Sequence, residues 1–227
     1  ASTEYMFTKY DNQDRIIQSG LYYTGTEPTQ SVIDAKPLNE SPIANGYTNV
    51  AFPDVKSTGS KVLTINCYDH YDIDLNSATK DYAYIHLDAD ITETVDASFP
   101  NTRGLKTVSK VAVMNNPKAD DATWLSAVTF YNKYARVIQI QKTNLFASGS
   151  DVEKNEYNNY RGLLMKHKTT HTGVGSPLNV LETFEYTKSG LLTKTKQKVN
   201  SQTEIVLSNN QYNKLGTPIA KQIHSIN

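Results

Sequence analysis

Residues 154–168 read KNEYNNYRGLLMKHK: an alternating stretch that ends in Tyr157, a short polar break, and a second alternating stretch. The same frame returns at 7–20 (FTKYDNQDRIIQSG), 128–141 (VTFYNKYARVIQIQ), 183–196 (TFEYTKSGLLTKTK) and 209–222 (NNQYNKLGTPIAKQ). The anchor tyrosines are Tyr10, Tyr131, Tyr157, Tyr186 and Tyr212, the last four spaced 26, 29 and 26 residues apart. A degenerate sixth copy starts at TINCYDHYDIDL (64–75), anchored on Tyr68. Self-similarity at such a period is a statement about architecture. Each break is built of Asp, Asn, Lys, Ser and Gly, residues that tolerate tight turns and positive φ, so each copy reads as a β-hairpin. Gly190 and Gly216 stand four residues after their tyrosine, Asp14 and Ala135 hold that place in two other copies, and Gly162 comes one residue later.

The strands after the turns alternate with period two. In RVIQIQ (136–141), Ile138 and Ile140 share one face and Val137, Gln139 and Gln141 the other. That is the pattern of a sheet with one wet face. A tyrosine closing the first strand can lay its ring over the hairpin and place its hydroxyl at the edge, locking one hairpin to the next. Between the first copy and the rest the chain changes character. Residues 25–60 are rich in proline and turn formers and predict an irregular connection with one short helix near QSVIDA (30–35). DYAYIHLDADIT (81–92) alternates most cleanly of all and predicts a strand. Ala83, Ile85, Leu87, Ala89 and Ile91 form one face, and Tyr82, Tyr84, His86, Asp88 and Asp90 the other. Further strands are predicted over 104–115 and 123–131, parted by a loop at NPKADDA (116–122). No amphipathic helix of three turns is present. The expectation is an all-β chain of repeated antiparallel hairpins forming an extended, twisted or spiralling sheet. It divides into a first hairpin (1–24), the connection (25–60), a degenerate repeat with a β insertion (61–122) and four consecutive hairpins (123–227).

Composition narrows the function. Lys+Arg and Asp+Glu are both 23, so the net charge is zero. Nucleic-acid and anionic-membrane surfaces want a basic excess, and neither is expected here. No segment approaches the roughly 18–20 apolar residues that cross a bilayer as a helix, and the first ten residues lack the basic and apolar regions of a signal peptide. Fifteen Tyr against six Phe and one Trp suit half-buried strands. The single Cys67 has no disulfide partner within the chain and reads as a bland thiol.

Few residues are placed for chemistry. Asp69, His70, Asp72 and Asp74 lie close in sequence, but strand neighbours at i and i+2 stand about 6–7 Å apart and the spacing fits no EF-hand loop. They read as a solvated strand and turn. His167 and His171 are four apart on a strand, about 13 Å, too far to share a metal. No phosphate loop, nucleophile elbow or zinc spacing occurs. The best ligand surface is Tyr82, Tyr84, His86, Asp88 and Asp90. Aromatic faces stack on sugar rings and carboxylates accept hydroxyl hydrogen bonds, and two carboxylates about 5–10 Å apart could serve a glycosidase. No catalytic residue, metal site or cofactor is expected.

The repeated frame resembles the tyrosine-aspartate (YD) repeat of the Rhs family: Tyr-Asp, two or three variable residues, Gly-Arg, then an apolar pair. YDNQDRII (10–17) keeps the Tyr-Asp and the Arg, YNKYARVIQ (131–139) keeps Tyr131, Arg136 and the apolar pair, and YTKSGLLTK (186–194) keeps Tyr186, Gly190 and the leucine pair. Asn or Thr replaces the Asp in most copies. Longer stretches, YMFTKYDNQDRIIQSGLY (5–22), GYTNVAFP (46–53), RGLKTVSKVAVM (103–114) and KTTHTG (168–173), resemble the bacterial cell-surface branch of that family. The resemblance implies a non-enzymatic scaffold. Relatives form spiralling hairpin sheets, some closed into a shell around a toxic cargo, and some are linked to carbohydrate binding at the cell surface. With five or six copies this chain is too short for a shell. The expectation is a structural section of a surface or secreted repeat protein, partnered by the remainder of a longer repeat chain and by glycans, and self-associating weakly through its terminal strands. A carbohydrate-binding module is the alternative and a glycosidase the third reading.

Overall fold

A computed structural model describes residues 3–43, 46–56, 59–69, 71, 83–86, 88–92, 102–113, 124–144 and 149–225. The chain divides into two compact units, one of residues 1–83 and 100–128, the other of residues 84–99 and 129–227. The first carries β1 (Thr3–Asp11), β2 (Ile16–Thr24), α1 (Gln30–Asp34), β3 (Asn39–Glu40), β4 (Pro42–Ile43), β5 (Gly46–Tyr47), β6 (Ser60–Asp69) and β7 (Thr102–Ala112). β8 (Trp124–Tyr131) runs from the first unit into the second. The second carries β9 (Val137–Asn144), β10 (Gly149–Tyr157), β11 (Leu164–His171), β12 (Leu178–Tyr186), β13 (Leu192–Val199), β14 (Ile205–Tyr212) and β15 (Pro218–Ser225).

The chain is all-β, and helix among the described residues is confined to the five-residue α1. In the first unit the hydrogen-bonded order is β3-β1-β2-β6-β7-β8, and in the second it follows the sequence from β9 to β15. Pairing is antiparallel except where β3 lies parallel to β1 across Tyr10 and Asp11. Neither sheet closes on itself. The recurrent frame accounts for the hairpins β1–β2, β8–β9, β10–β11, β12–β13 and β14–β15, and the degenerate copy is the hairpin β6–β7.

The turns explain why these sequences reverse where they do. Asp14, Ala135, Gly162, Gly190 and Gly216 all hold positive φ, between 58° and 91°. In each turn the residue after the anchor tyrosine accepts a backbone N–H from the positive-φ residue: Asp14 to Asp11, Ala135 to Asn132, Gly162 to Asn158, Gly190 to Thr187 and Gly216 to Asn213. The side-chain oxygen of that same residue caps the turn. Asp11 Oδ1 accepts the N–H of Gln13 and Arg15, Asn132 Oδ1 those of Tyr134 and Arg136, Asn213 Oδ1 those of Leu215 and Thr217, and Thr187 Oγ1 that of Leu191. Asp, Asn and Thr share an acceptor at that reach, which is how the position tolerates all three. A register shift recurs at the tyrosine of four hairpins, between Lys9 and Tyr10, Glu156 and Tyr157, Glu185 and Tyr186, and Gln211 and Tyr212. Such a bulge re-aims the side chain it carries.

The 25–60 connection folds back over the first unit. Lys9 on β1 is 1% exposed and Glu40 is fully buried. Lys9 Nζ donates to Glu40 Oε1 (2.7 Å), Asn49 Oδ1 (2.9 Å) and the Ala51 carbonyl (2.8 Å), which uses all three of its protons. The Glu40 carboxylate also accepts the Thr48 hydroxyl and the N–H groups of Val50 and Ala51. A buried charge pair persists only when its remaining donors and acceptors are satisfied in this way. Phe52 sets its ring edge-to-face on Tyr22, 5.3 Å between centroids, beside buried Ala51 and Pro53.

One sequence expectation is corrected. The described residues 83–86 and 88–92 form no strand. Their alternation does not sort by burial either: Ile91 is buried while Ile85 is 43% exposed. The physical reason is that this segment binds the sheet through side chains rather than through a backbone ladder, as the next subsection describes.

Candidate functional site

The feature repeated along the chain is a clamp between successive hairpins. The Tyr157 hydroxyl donates to the Val137 carbonyl (3.0 Å), that of Tyr186 to Leu164 (2.8 Å) and that of Tyr212 to Leu192 (2.8 Å). In the first unit the Tyr68 hydroxyl donates to Ile16 (3.1 Å). Each acceptor is the first residue of the outgoing strand of the preceding hairpin. At three of the four junctions the same carbonyl takes a second donor, the amide of an Asn two residues before the tyrosine: Asn66 to Ile16 (3.2 Å), Asn155 to Val137 (2.9 Å) and Asn210 to Leu192 (3.1 Å). Phe184 occupies that place before Tyr186, so among the described residues Leu164 has the tyrosine alone as its side-chain donor. Burial pushes the phenols of Tyr68, Tyr157 and Tyr186 above their usual range, which keeps them neutral donors.

A second contact locks the turns together. Arg15 stacks over the Tyr68 ring (4.4 Å), forms a two-pronged pair with Asp69 (2.9 and 2.6 Å) and reaches Asp11 through Nε (2.7 Å). Asp69 Oδ1 also takes the N–H of Gly104 (2.7 Å), and Thr102 donates its hydroxyl to the Asp69 carbonyl. The mouth of β6–β7 is thereby closed at Asp69 and Thr102, and the described residues 83–86 and 88–92 belong to the insertion between them. In the second unit Arg136 lies over Tyr157 (5.8 Å) and against Gly162, where any Cβ would run into the guanidinium. Tyr131 is half-buried and bonds Thr129, and Tyr10 is 38% exposed beside β3.

Part of that insertion covers β9–β11. Ile85 and Gln139 exchange two hydrogen bonds, Ile85 N–H to Oε1 (3.1 Å) and Nε2 to the Ile85 carbonyl (3.0 Å), and Gln141 donates to Gln139 (2.7 Å). Tyr84 meets Phe130 edge-on (5.4 Å) and His86 likewise (4.9 Å). Lys168 Nζ donates to Asp88 Oδ1 and Asp90 Oδ2, both at 2.8 Å, and Lys154 stands 3.7 Å from Asp88. Lys166 donates to the Asp90 carbonyl (2.9 Å) and to Glu156 (3.1 Å), which in turn accepts the Thr92 N–H (2.8 Å). Burial alone would raise the Asp88 pKa. The Lys168 hydrogen bond, the Asp90 N–H and the two lysine charges outweigh it and hold the carboxyl below its ordinary value. Of the five candidate sugar-binding residues, then, Tyr84 and His86 meet each other, and Asp88 and Asp90 share Lys168. Tyr82 lies outside the described residues.

The remaining candidates are kept apart. Asp69 serves the turn contact above, while His70, Asp72 and Asp74 lie outside the described residues. His167 Nδ1 faces Asn155 Oδ1 (2.8 Å) and His171 Nδ1 faces Asp151 (2.6 Å), two separate environments. Cys67 is fully buried and desolvation pushes its thiol up to about 12. Among the described residues no three His, Cys, Asp or Glu converge as a metal would require. Sequence reasoning missed the clamp's second donor, although Asn-x-Tyr at 66–68, 155–157 and 210–212 is readable once the copies are aligned. It also missed the lysine and glutamine partners of 84–92, which no local pattern marks.

The chain matches no model of a known protein family, and a search of curated proteins finds no match.

Proposed function

We propose that this chain is a non-enzymatic structural section of a bacterial surface or secreted repeat protein of the Rhs, tyrosine-aspartate type. The observation that carries the reading is the clamp. Four junctions between hairpins use a tyrosine hydroxyl on the same carbonyl position, and three add the same asparagine. A repeated contact devoted to the neighbouring hairpin is what a stacked scaffold needs, because each unit is stabilised by the units beside it. The best-placed polar groups outside the clamp, Asp88 and Asp90, already hold lysine. A glycan or a glycosidic oxygen would have to displace those ion pairs, which favours the scaffold over carbohydrate binding or hydrolysis.

Duplication tests it. A variant repeating residues 178–203 in tandem inserts one further hairpin in frame with the 26-residue spacing from Tyr186 to Tyr212. It is expected to fold with the same strand spectrum and to melt no lower than the parent. The intact protein is expected to give no saturable signal on a glycan array and no turnover on a panel of glycosides. Unfolding of the duplicated chain, or glycan binding abolished by Asp88→Asn and Asp90→Asn, would replace the reading.

A further inference from the structure

Pro218 stands where the clamp's acceptors stand. Ile16, Leu164 and Leu192 each open an outgoing strand, and each pairs with its own hairpin's tyrosine: Tyr10 with Ile16, Tyr157 with Leu164, Tyr186 with Leu192. Pro218 opens β15 and pairs with Tyr212 across the same register shift. The other three carbonyls are taken by the next hairpin's tyrosine. β15 ends the strand order of its unit, with β14 on one side and no described strand on the other. Its apolar side chains are correspondingly bare: Ile219 is 63% and Ile223 73% exposed, and Leu215 in the turn before it 90%. At the junction one hairpin earlier, the equivalent turn packs on its neighbour, with Leu191 Cδ1 3.3 Å from the Cβ position of Gly216.

We infer that the outer edge of β15 is a docking edge for a further β-hairpin whose leading strand carries Asn-x-Tyr. The tyrosine hydroxyl and asparagine amide of that hairpin would both donate to the Pro218 carbonyl, and its turn would sit on Thr217, as Gly216 sits on Leu191 and Gly190 on Leu163. The inference rests on the scaffold reading and extends the hairpin-to-hairpin contact by one place. An open strand edge is in any case a template for strand addition. The key is specific. A second copy of this chain does not carry it on its leading strand, because Thr8 stands two residues before Tyr10 and β3 covers Tyr10 and Asp11.

The probe is the chain's own last hairpin as a labelled peptide, residues 205–222 (IVLSNNQYNKLGTPIAKQ), added to the full chain. Anisotropy should rise saturably, and amide exchange should slow in residues 218–225. Peptides carrying Tyr212→Phe or Asn210→Ala should each bind about fivefold more weakly, the effect of one ordinary hydrogen bond. The inference is overturned by absence of saturable binding at millimolar peptide, by equal binding of a peptide carrying both changes, or by protection confined to another strand. It is equally overturned if protection of 218–225 grows with protein concentration alone and the peptide does not compete, since the occupant is then a second copy. The duplicated chain separates the two claims: if it folds and the peptide fails to bind, only the docking edge is lost.

Discussion

Tyr186→Phe should cost more than the same change at Tyr157 or Tyr212, and the structure supplies the reason. Removing the hydroxyl keeps the ring and deletes one donor. At Val137 and Leu192 the carbonyl retains an asparagine amide, from Asn155 at 2.9 Å and Asn210 at 3.1 Å. At Leu164 no side-chain donor remains among the described residues, since Phe184 replaces the asparagine. A hydrogen bond contributes about 0.5–1.5 kcal/mol net, and the larger losses follow when a partner is stranded. The half-buried setting admits some water, so Tyr186→Phe is placed near the top of that range, about 1.5 kcal/mol, and the other two near 0.5 kcal/mol. For a chain of this size 1 kcal/mol moves Tm by about 2–4 °C, giving drops of about 3–6 °C against about 1–2 °C. Thermal melts followed by circular dichroism at 218 nm resolve the difference. The double variant Asn155→Ala with Tyr157→Phe should cost more than its parts added together, because the second loss strands the Val137 carbonyl. Equal costs at all three tyrosines, or the smallest at Tyr186, would refute the shared-acceptor account.

The turns predict opposite signs for two small substitutions. Gly162→Ala puts a Cβ on a residue held at φ 68° and displaces the Arg136 guanidinium, and should destabilise by about 1–2 kcal/mol, whereas Ala135→Gly relieves a positive φ of 58° and should stabilise by up to about 1 kcal/mol in urea titrations. Asp11, Glu40 and Asp88 all have pKa values held below the ordinary 3.8–4.5. A depressed folded value contributes stability that is present above the unfolded pKa and lost as pH falls through the folded one, so Tm should hold from pH 7 to about 5 and fall steadily below about 4, and Asp88→Asn should flatten that fall. Cys67 should stay unreactive toward a thiol reagent at pH 8 in the folded protein and react stoichiometrically in urea, because its thiol is buried and pushed up to about 12.

Much of the fold was legible because the hairpin signal is local. Period-two alternation, a tyrosine at the strand end and turn formers at fixed offsets lie within about 15 residues, and each copy repeats the message. Even the non-glycine turn residues Asp14 and Ala135 could be placed from the register of Gly190 and Gly216. What the sequence concealed depends on distant partners. The 81–92 segment has a strand's alternation, yet Gln139, Lys154 and Lys168 on the sheet take its backbone and carboxylates, and side-chain pairing displaces the ladder. Likewise nothing near Lys9 announces that Glu40, 31 residues away, will be buried against it. Asn or Thr replaces the anchor aspartate of the repeat in most copies. Its work is done by a side-chain oxygen that all three possess, while Asp11 and Asp69 add the charge that Arg15 meets.

The central claim is that hairpins are stabilised in sequence by clamps to their neighbours. Amide hydrogen exchange on a chain lacking residues 205–227 tests it most directly. Removing β14 and β15 deletes the Tyr212 and Asn210 donors from Leu192 and leaves the Tyr186 clamp on Leu164 intact. The account predicts that β12 and β13 lose protection, β10 and β11 lose less, and β1, β2 and β6 exchange as in the full chain. Uniform loss of protection across all strands would contradict it, as would undiminished protection of β12 and β13.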